Sequence, residues 1–281
     1  CGLIPVRTWA APVPAGSAVA AYLNTHPVLR VGVYDSGWPP FESVRQGHVR
    51  GLGPDLLEHL ARSLGVRVQY VFHPGWTELL DAACRGEIDV VMNIAAGAGS
   101  PRCLVPTAAY ASAPLALVGR VGDLRSSERP DLAGLRVVTE SDFLTGPRIG
   151  QRFPDAQLTT AADTTAALRQ VAAGTADVFV GNAYVADTLL AEKGFTGLEL
   201  LRPSGMAEET LHFGVPSRAA LLREALDDAL ADLPLQQRSA LSARWLRVPV
   251  WSGPARGVLD AAERRVLSTP LRIGYPPNAA P

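Results

Sequence analysis

The sequence predicts an α/β fold of two similar lobes, each a parallel sheet covered by helices, joined by two crossing strands. Apolar runs of strand length alternate with amphipathic helices over residues 28–92, which is the pattern of parallel βαβ units. A helix, the pattern Gly-x-x-Asp and a strand follow one another twice, at residues 86–89 and at residues 174–177. The repetition indicates a second lobe, and the helix lengths argue against a β-sandwich.

The elements of the first lobe follow from caps and apolar runs. Ser17 is predicted to cap a short helix, and residues 29–34 read as a buried strand. A helix then opens near Asp55, which we interpret as its cap, and Gly65 ends it. A strand, a helix and a strand are predicted next, over residues 66–72, 76–85 and 88–92.

The rest of the chain repeats this order. A strand, a helix and a short strand are predicted over residues 135–139, 143–153 and 156–159. Asp163 is predicted to cap a helix that runs to residue 173, before a strand at residues 178–180. A last strand and two helices are predicted over residues 211–215, 219–233 and 236–246. If the chain crosses between lobes near residues 114–120 and returns near 203–210, a cleft for a small ligand lies between them.

A short repeat indicates tandem domains. The segment LRVGV at residues 29–33 returns near the C terminus as LRIGY at residues 271–275, so we expect a second copy of the domain to begin there. The predicted division has an N-terminal segment with a lead-in helix, a first lobe made of two stretches, a second lobe, and a linker that starts the next domain. These parts are residues 1–27, 28–115 plus 205–250, 116–204 and 251–281.

The composition excludes several classes of protein. Hydrophobic residues make up 47% and charged residues 19% of the chain, which is typical of a folded globular protein. A net charge of −1 argues against a nucleic-acid partner. The five histidines lack metal-binding spacing, and no catalytic or phosphate-binding motif occurs, so we predict no metal, no cofactor and no catalytic residue. Cys84 and Cys103 could pair in an oxidising compartment, which the sequence leaves open.

Five motifs in order carry a family resemblance. They are Val31-Gly32-Val33, Trp38-Pro39-Pro40-Phe41-Glu42, Gly51-x-Gly53-x-Asp55-Leu56-Leu57, Trp76 with Leu79, and Gly86-x-Ile88-Asp89. Over most of residues 28–246 the chain resembles the type-3 periplasmic solute-binding proteins, which implies a two-lobed type II periplasmic-binding-protein-like fold. The lead-in Tyr22-Leu23-x-x-His26-Pro27 and the second copy after Arg244-Trp245 resemble the tandem Venus flytrap sensor regions of BvgS/EvgS-type histidine kinases.

The resemblance implies where a ligand would bind. Family members clamp a ligand between an aromatic ring and a buried arginine that pairs with a ligand carboxylate. Arg102 is the candidate arginine, although the hydroxyl residues expected before it are absent. Trp38 and Phe41 are candidates for the aromatic wall, held by the two prolines between them, and Trp76 is either a pocket-rim residue or a core residue.

Polar residues complete the predicted ligand site. Asn182 stands where amino-acid binders of this family usually carry an acid for the ligand ammonium, which disfavours a standard α-amino acid. Glu42 either contacts a ligand cation or, as the favoured interpretation, is a solvated carboxylate. Asn93 is either a cleft residue or a strand-end cap. Hydroxyl and backbone N–H donors for an anion are expected from Thr139, Ser141 and Asp142.

The main functional hypothesis is a periplasmic flytrap sensor domain of a membrane-tethered two-component kinase. It implies a carboxylate or amino-acid-like ligand, a second flytrap domain in the same chain and a homodimer. Three alternatives stay open: a free-standing binding protein of an amino-acid or carboxylate ABC transporter, a flytrap that has lost its ligand, and a periplasmic dehydratase or lytic transglycosylase-associated domain. The enzyme alternative has only Glu42 and Glu140 as candidate acids, so we do not expect this segment to be an enzyme.

Overall fold

The computed structural model describes residues 14, 16–96, 102–123, 131–141 and 143–247. The predicted start of a second domain and the candidate ligand residue Asp142 lie outside the described residues. Two sheets with covering helices account for most of the described chain. None of the described helices combines the length and the hydropathy that a membrane crossing requires.

The first half of the first lobe keeps the predicted order of its main strands and helices and adds four short strands that were not predicted. It contains α1 (Ala18–Thr25), β1 (Val28–Tyr34), β2 (Ser43–Arg45), β3 (His48–Arg50), α2 (Leu52–Ser63), β4 (Arg67–His73), α3 (Trp76–Arg85), β5 (Val90–Ala95), β6 (Leu104–Pro106) and β7 (Ala111–Ala113). Strand β1 pairs in parallel with β4 and β5, as the βαβ pattern predicts. The predicted cap at Ser17 is confirmed, because its hydroxyl accepts a hydrogen bond from the Ala20 backbone N–H (3.1 Å).

The second lobe follows after Pro114. It contains β8 (Leu115–Arg120), β9 (Arg136–Glu140), α4 (Thr145–Arg152), β10 (Gln157–Ala161), α5 (Thr164–Ala172), β11 (Val178–Asn182), α6 (Ala183–Lys193) and β12 (Leu198–Pro203). The sheet order is β10-β9-β11-β8-β12. The predicted cap of α5 is confirmed, because the Asp163 carboxylate accepts a hydrogen bond from the Ala166 backbone N–H (2.7 Å).

The chain then returns to the first lobe through β13 (Glu209–Pro216), α7 (Ala220–Asp232) and α8 (Leu235–Trp245). Strand β13 lies between β5 and β6 and runs antiparallel to both. In the second sheet β8 likewise runs antiparallel to β11 and β12. Both sheets are therefore mixed, and the predicted parallel pairing holds only for the βαβ strands. A strand that enters from the other lobe needs no crossover helix, so it can pair in the opposite direction.

The Gly-x-x-Asp pattern has the same structural role in both lobes. The Asp89 carboxylate accepts hydrogen bonds from the Arg30 backbone N–H (2.9 Å) and from its Nη2 (2.6 Å). The Asp177 carboxylate accepts hydrogen bonds from the Arg136 backbone N–H (2.9 Å) and from its Nη2 (2.7 Å). In each lobe this aspartate joins the start of the third strand to the first strand of the βαβ unit.

The interpretation of Asp55 as a helix cap is wrong. Gly51 occupies the N-cap position of α2 and makes no side-chain capping bond. The Asp55 carboxylate instead accepts a hydrogen bond from Trp245 Nε1 (2.8 Å) and pairs with Arg244 (3.1 Å). Both partners lie on α8, so this carboxylate fastens the last described helix to the first turn of α2.

A disulfide joins Cys84, in the last turn of α3, to Cys103, just before β6, with a Cα–Cα distance of 5.5 Å. The sequence had left this pairing open. Together with β5, which lies between these elements in the chain, the bond fixes the C-terminal end of α3 against the first sheet.

Candidate ligand-binding cleft

Aromatic rings from both lobes meet between the two sheets. Trp38 follows β1 and Trp76 begins α3, whereas Phe143 follows β9 in the second lobe. The Phe143 ring centroid lies 5.8 Å from that of Trp38 and 6.0 Å from that of Trp76. Tyr34, at the end of β1, meets Trp76 edge to face at 6.0 Å. The cleft is therefore lined with aromatic rings on both sides.

A cavity of about 250 Å³ lies among these rings. Its aromatic lining consists of Tyr34, Trp38, Trp76 and Phe143. Its acidic lining consists of Glu78, Glu140 and Asp163, and Ser141 adds a hydroxyl. No lysine, arginine or histidine is among the described residues that line it. Side chains of both lobes thus enclose a small aromatic and acidic space, which we call the inner cavity.

Glu140 is the buried acid of the inner cavity, with 3% of its surface exposed. It ends β9, where the carboxyl ends of the parallel strands of this lobe meet. Its carboxylate accepts hydrogen bonds from the hydroxyls of Thr164 (2.6 Å) and Thr139 (3.3 Å). Burial raises the pKa of Glu140 to about 7, against the lowering effect of the Thr164 hydrogen bond.

The pKa of the Tyr34 hydroxyl reflects the carboxylates around the inner cavity. Burial raises the pKa of its hydroxyl well above the usual value, and the nearby carboxylates of Glu42, Glu140 and Asp163 raise it further. Three carboxylates, drawn from both lobes, therefore raise the pKa of one phenol that lines the inner cavity.

A larger cavity of about 540 Å³ adjoins the inner cavity and shares Ser36, Trp38, Asp163 and Thr164 with it. We call it the outer cavity. Its other charged lining residues are Arg45, Arg169, Glu192 and Lys193, so both signs of charge are present. Arg45 of β2 and Glu192 of α6 form an ion pair (2.7 Å) that links the two lobes. The described charged residues that line the inner cavity are thus all acidic, whereas those of the outer cavity are both acidic and basic.

Trp38 lines both cavities and is 5% exposed. Its indole N–H is buried and has no hydrogen-bond partner among the described residues. A buried donor without a partner has lost its hydration without compensation. A ligand that offers an acceptor oxygen would remove this cost.

Glu42 is buried rather than solvated, which corrects the favoured interpretation of that residue. It is 1% exposed and accepts a hydrogen bond from Asn93 Nδ2 (3.1 Å). The Asn93 Oδ1 in turn accepts a hydrogen bond from the Tyr110 hydroxyl (2.5 Å). Burial raises the pKa of Glu42 to about 8. The preceding residue accepts a hydrogen bond from the Gly53 backbone N–H (3.0 Å), which draws this loop against α2 and away from water.

Three further predicted residues are buried next to the cleft and do not line it. Phe41 is fully buried, with its ring 5.2 Å from that of Trp38. Thr139 is also fully buried, and its hydroxyl is directed to Glu140. Asn182 caps α6 by accepting hydrogen bonds from the backbone N–H groups of Tyr184 (3.1 Å) and Val185 (3.3 Å). None of the three lines the inner or the outer cavity.

Arg102 is exposed and lies beside Cys103 of the disulfide. It is not among the described residues that line the two cavities. The structure therefore brings Trp38, Trp76 and Ser141 together at the inner cavity and leaves Arg102 outside it.

Sequence reasoning missed Tyr34 and Phe143 as lining residues and considered Glu140 only as a candidate catalytic acid. Tyr34 ends a predicted parallel strand, and Glu140 and Phe143 follow closely after another. Ligands of open α/β sheets bind beyond the carboxyl ends of such strands, so strand position was the signal that could have found them.

Several curated relatives are sensor proteins. The chain is 28% identical over 218 residues to the virulence sensor protein BvgS of Bordetella bronchiseptica, covering 78% of this chain and 18% of that protein. It is 23% identical over 203 residues to the sensor protein EvgS of Escherichia coli K12, covering 72% of this chain and 17% of that protein. The chain therefore spans less than a fifth of the length of these relatives.

Solved structures share the fold. A double mutant of the BvgS VFT2 domain of Bordetella pertussis matches with a TM-score of 0.76 and 21% identity, over 83% of this chain and 99% of that one. A histidine kinase sensor domain similar to periplasmic binding proteins matches with a TM-score of 0.68 and 25% identity, over 79% and 97%. The arginine-binding protein ArgBP of T. maritima, as a mutant, matches with a TM-score of 0.68 and 21% identity, over 81% and 98%.

These neighbours confirm the predicted two-lobed flytrap fold. Residues 29–248 match the family described as bacterial extracellular solute-binding proteins, family 3. This match spans both sheets and the cleft between them, and so the chain belongs to the family 3 bacterial extracellular solute-binding proteins.

Proposed function

We propose that this chain is an extracytoplasmic flytrap sensor domain that closes on a small solute and passes its state to a kinase in the same protein. The observation that carries the proposal is that both lobes enclose the inner cavity: Trp38 and Trp76 belong to the first lobe, and Glu140 and Phe143 to the second. A solute held by both lobes binds the closed form better than the open form, and so shifts the equilibrium towards closure.

The sensor role is supported by the curated relatives and by the matching histidine kinase sensor domain. The proposal includes a periplasmic location, a following flytrap domain and a homodimer. Tandem domains are supported by the solved periplasmic domain of B. pertussis BvgS, of which this chain covers 44% while 81% of this chain is matched.

Helix α8 offers a route for the signal. Asp55, in the first turn of α2, holds Trp245 and Arg244 at the end of α8. The start of α2 is also joined to the loop that carries Trp38, because the Leu52 backbone N–H donates to the Pro40 carbonyl oxygen (3.0 Å). A movement of that loop is thereby coupled to the helix from which the chain continues.

A solute screen tests the proposal. The 281-residue chain is heated with amino acids, amines, dicarboxylates and aromatic acids at millimolar concentration, and its radius of gyration is measured by X-ray scattering. A solute at 100 times its Kd should add about 2.7 kcal/mol to the free energy of unfolding, and should also compact the chain. If no solute changes either quantity, solute-driven closure is excluded.

The variant Arg102→Ala is included in the same screen. It tests the prediction that Arg102 pairs with a ligand carboxylate. A carboxylate whose stabilising effect disappears in this variant would support that prediction, and an unchanged effect would remove Arg102 from the site.

A further inference from the structure

We propose that the inner cavity selects a small organic cation carrying an acceptor oxygen, which is held among four aromatic rings next to the carboxylate of Glu140. The inference rests on the proposed solute-binding function and adds the ligand class. It departs from the carboxylate ligand that the family resemblance implies.

The charge of the lining favours a cation. Glu78, Glu140 and Asp163 line the inner cavity, and the described lining contains no basic side chain. An anion would meet carboxylates from both lobes and would gain no countercharge there. Arg45, Arg169 and Lys193 lie only around the outer cavity, so this part of the cleft carries the opposite preference.

The aromatic lining favours a cation over a neutral solute of the same shape. Ring faces carry negative quadrupole potential and attract a cation within about 6 Å of the ring centroid. Phe143 lies 5.8 Å from Trp38 and 6.0 Å from Trp76, and Tyr34 lies 6.0 Å from Trp76, measured between centroids. These ring-to-ring contacts join the four rings into one continuous wall of the inner cavity.

The volume limits the size of the ligand. A cavity of about 250 Å³ is smaller than the roughly 300–1,000 Å³ of pockets that hold drug-sized ligands. A trimethylammonium group with a short polar arm fits that space, whereas a peptide or a sugar chain does not.

Trp38 supplies an independent sign that a ligand group is expected here. Its indole N–H is buried and unpaired among the described residues, on a side chain that lines the inner cavity. A cation cannot accept this hydrogen bond, so the ligand needs an oxygen as well as a positive charge.

Ionisation of Glu140 gives the binding a characteristic pH dependence. The pKa of Glu140 is about 7 because the residue is buried, and Glu209 raises it through charge while the Thr164 and Thr139 hydroxyls lower it. Asp163 and the Tyr34 hydroxyl also face this region. A bound cation favours the ionised carboxylate, so affinity should rise as the pH increases from 6 to 8.

The test uses choline as the probe, with 3,3-dimethylbutan-1-ol as its uncharged isostere and acetate as an anion. Calorimetric titration of the 281-residue chain at pH 8 should show choline binding about tenfold or more tightly than the isostere, because the isostere lacks the cation–π and carboxylate attraction. Equal affinities for choline and the isostere would overturn the proposal.

Substitutions at the cavity sharpen the test. Glu140→Gln keeps the size of the side chain and should weaken choline binding about tenfold at pH 8 while abolishing the rise between pH 6 and pH 8. Glu209→Gln is the matched control, because Glu209 is also a buried carboxyl between the lobes but does not line the cavity. It should change choline affinity at pH 8 by less than about twofold, because Glu140 is already largely ionised at that pH with or without the charge of Glu209.

If Glu140→Gln does not fold, Phe143→Leu replaces it. This variant keeps an apolar side chain and removes one ring, and it should weaken choline more than the isostere. A choline affinity that the Glu140 or Phe143 substitution leaves unchanged would overturn the proposal. Binding of acetate or another anion without choline would overturn the ligand class and leave the solute-binding function standing, whereas no binding by any solute in the screen would remove both.

Discussion

The two lobes share a frame but differ in how deeply its main ion pair is buried. Arg30 with Asp89 and Arg136 with Asp177 make matching contacts from the first strand of each βαβ unit to the third. The side chain of Asp89 is 20% exposed and that of Asp177 only 7%. Asp177 also lies 3.6 Å from the Arg120 guanidinium, which has no counterpart in the described contacts of Asp89. The same Gly-x-x-Asp pattern therefore makes the same contacts in both lobes. The burial of each ion pair sets how much it contributes to the free energy of unfolding.

The cleft faces of the lobes differ more than their frames. The first lobe contributes three rings and the exposed carboxylate of Glu78, and it keeps its buried acid, Glu42, behind the rings in a hydrogen bond with Asn93. The second lobe places its acid, Glu140, directly in the inner cavity beside Phe143. Repetition of a fold thus fixes where a site lies and leaves its chemistry to the residues at the strand ends.

Removing the aspartate of each frame should have the largest effect. Asp177→Ala removes a nearly buried carboxylate that accepts hydrogen bonds from the Arg136 backbone N–H and guanidinium, and it should lower the free energy of unfolding by about 2–3 kcal/mol, whereas Asp89→Ala should cost about half as much. Urea unfolding of the two variants measures the difference. An equal or larger loss for Asp89→Ala would show that burial does not rank the two pairs.

Acids of the two lobes should set a shared pH dependence of stability. Burial raises the pKa of Glu42 to about 8 and that of Glu140 to about 7, so the folded state binds more protons than the unfolded state. Their contribution is fully present below the unfolded pKa near 4.5 and is lost as the pH rises through 7 and 8. Stability should therefore fall steadily between pH 5 and pH 8.

Single substitutions separate these two acids. Glu42→Gln should remove the decline between pH 7 and pH 8 and lessen it below pH 7, whereas Glu140→Gln should lessen it only below pH 7, as followed by thermal unfolding at stepped pH. Stability that increases over this range in the unsubstituted chain would show that the carboxyls are ionised and paired.

The attachment of α8 belongs to the first lobe alone. Trp245→Phe removes the indole N–H that donates to Asp55 (2.8 Å) and keeps an aromatic ring, so the free energy of unfolding should fall by about 1 kcal/mol. Limited proteolysis should cut α8 sooner than in the unsubstituted chain. Unchanged proteolysis would indicate that ring packing, rather than the hydrogen bond, holds the helix.

The ion pair between the lobes should have the smallest effect. The side chains of Arg45 and Glu192 are 63% and 39% exposed, and exposed pairs contribute about 0.2–1 kcal/mol. Glu192→Ala should thus weaken solute binding by less than about fivefold, and 0.5 M salt should remove most of the difference. A loss comparable to that of Glu140→Gln would mean that closure depends on this pair.

Local features of the fold could be predicted from the sequence. Helix α3 has the predicted bounds, and Ser17 and Asp163 cap helices as expected, because caps and amphipathic faces are decided within a few residues. The direction of β8 and β13 could not be predicted from local patterns, since it depends on how the chain passes between the lobes.

The site was predictable only in part. Trp38 was a candidate because the family resemblance implies an aromatic wall and this residue follows the first strand, whereas Trp76 was left between a pocket-rim and a core residue. The burial of Glu42 and the partner of Asp55 depend on residues far away in the chain, 51 and 190 positions along respectively. The acidity of the inner cavity was missed for the same reason, because its carboxylates come from two lobes.

A disulfide joins Cys84 to Cys103, 19 positions apart. The stability of the first lobe should therefore depend on whether the chain folds in an oxidising or a reducing compartment. Closing a loop of that length restricts the unfolded chain by about 3 kcal/mol. A reducing environment would withdraw that contribution and loosen the far end of the helix that begins with Trp76. In the reduced chain the aromatic wall should therefore be less ordered than in the chain that carries the disulfide.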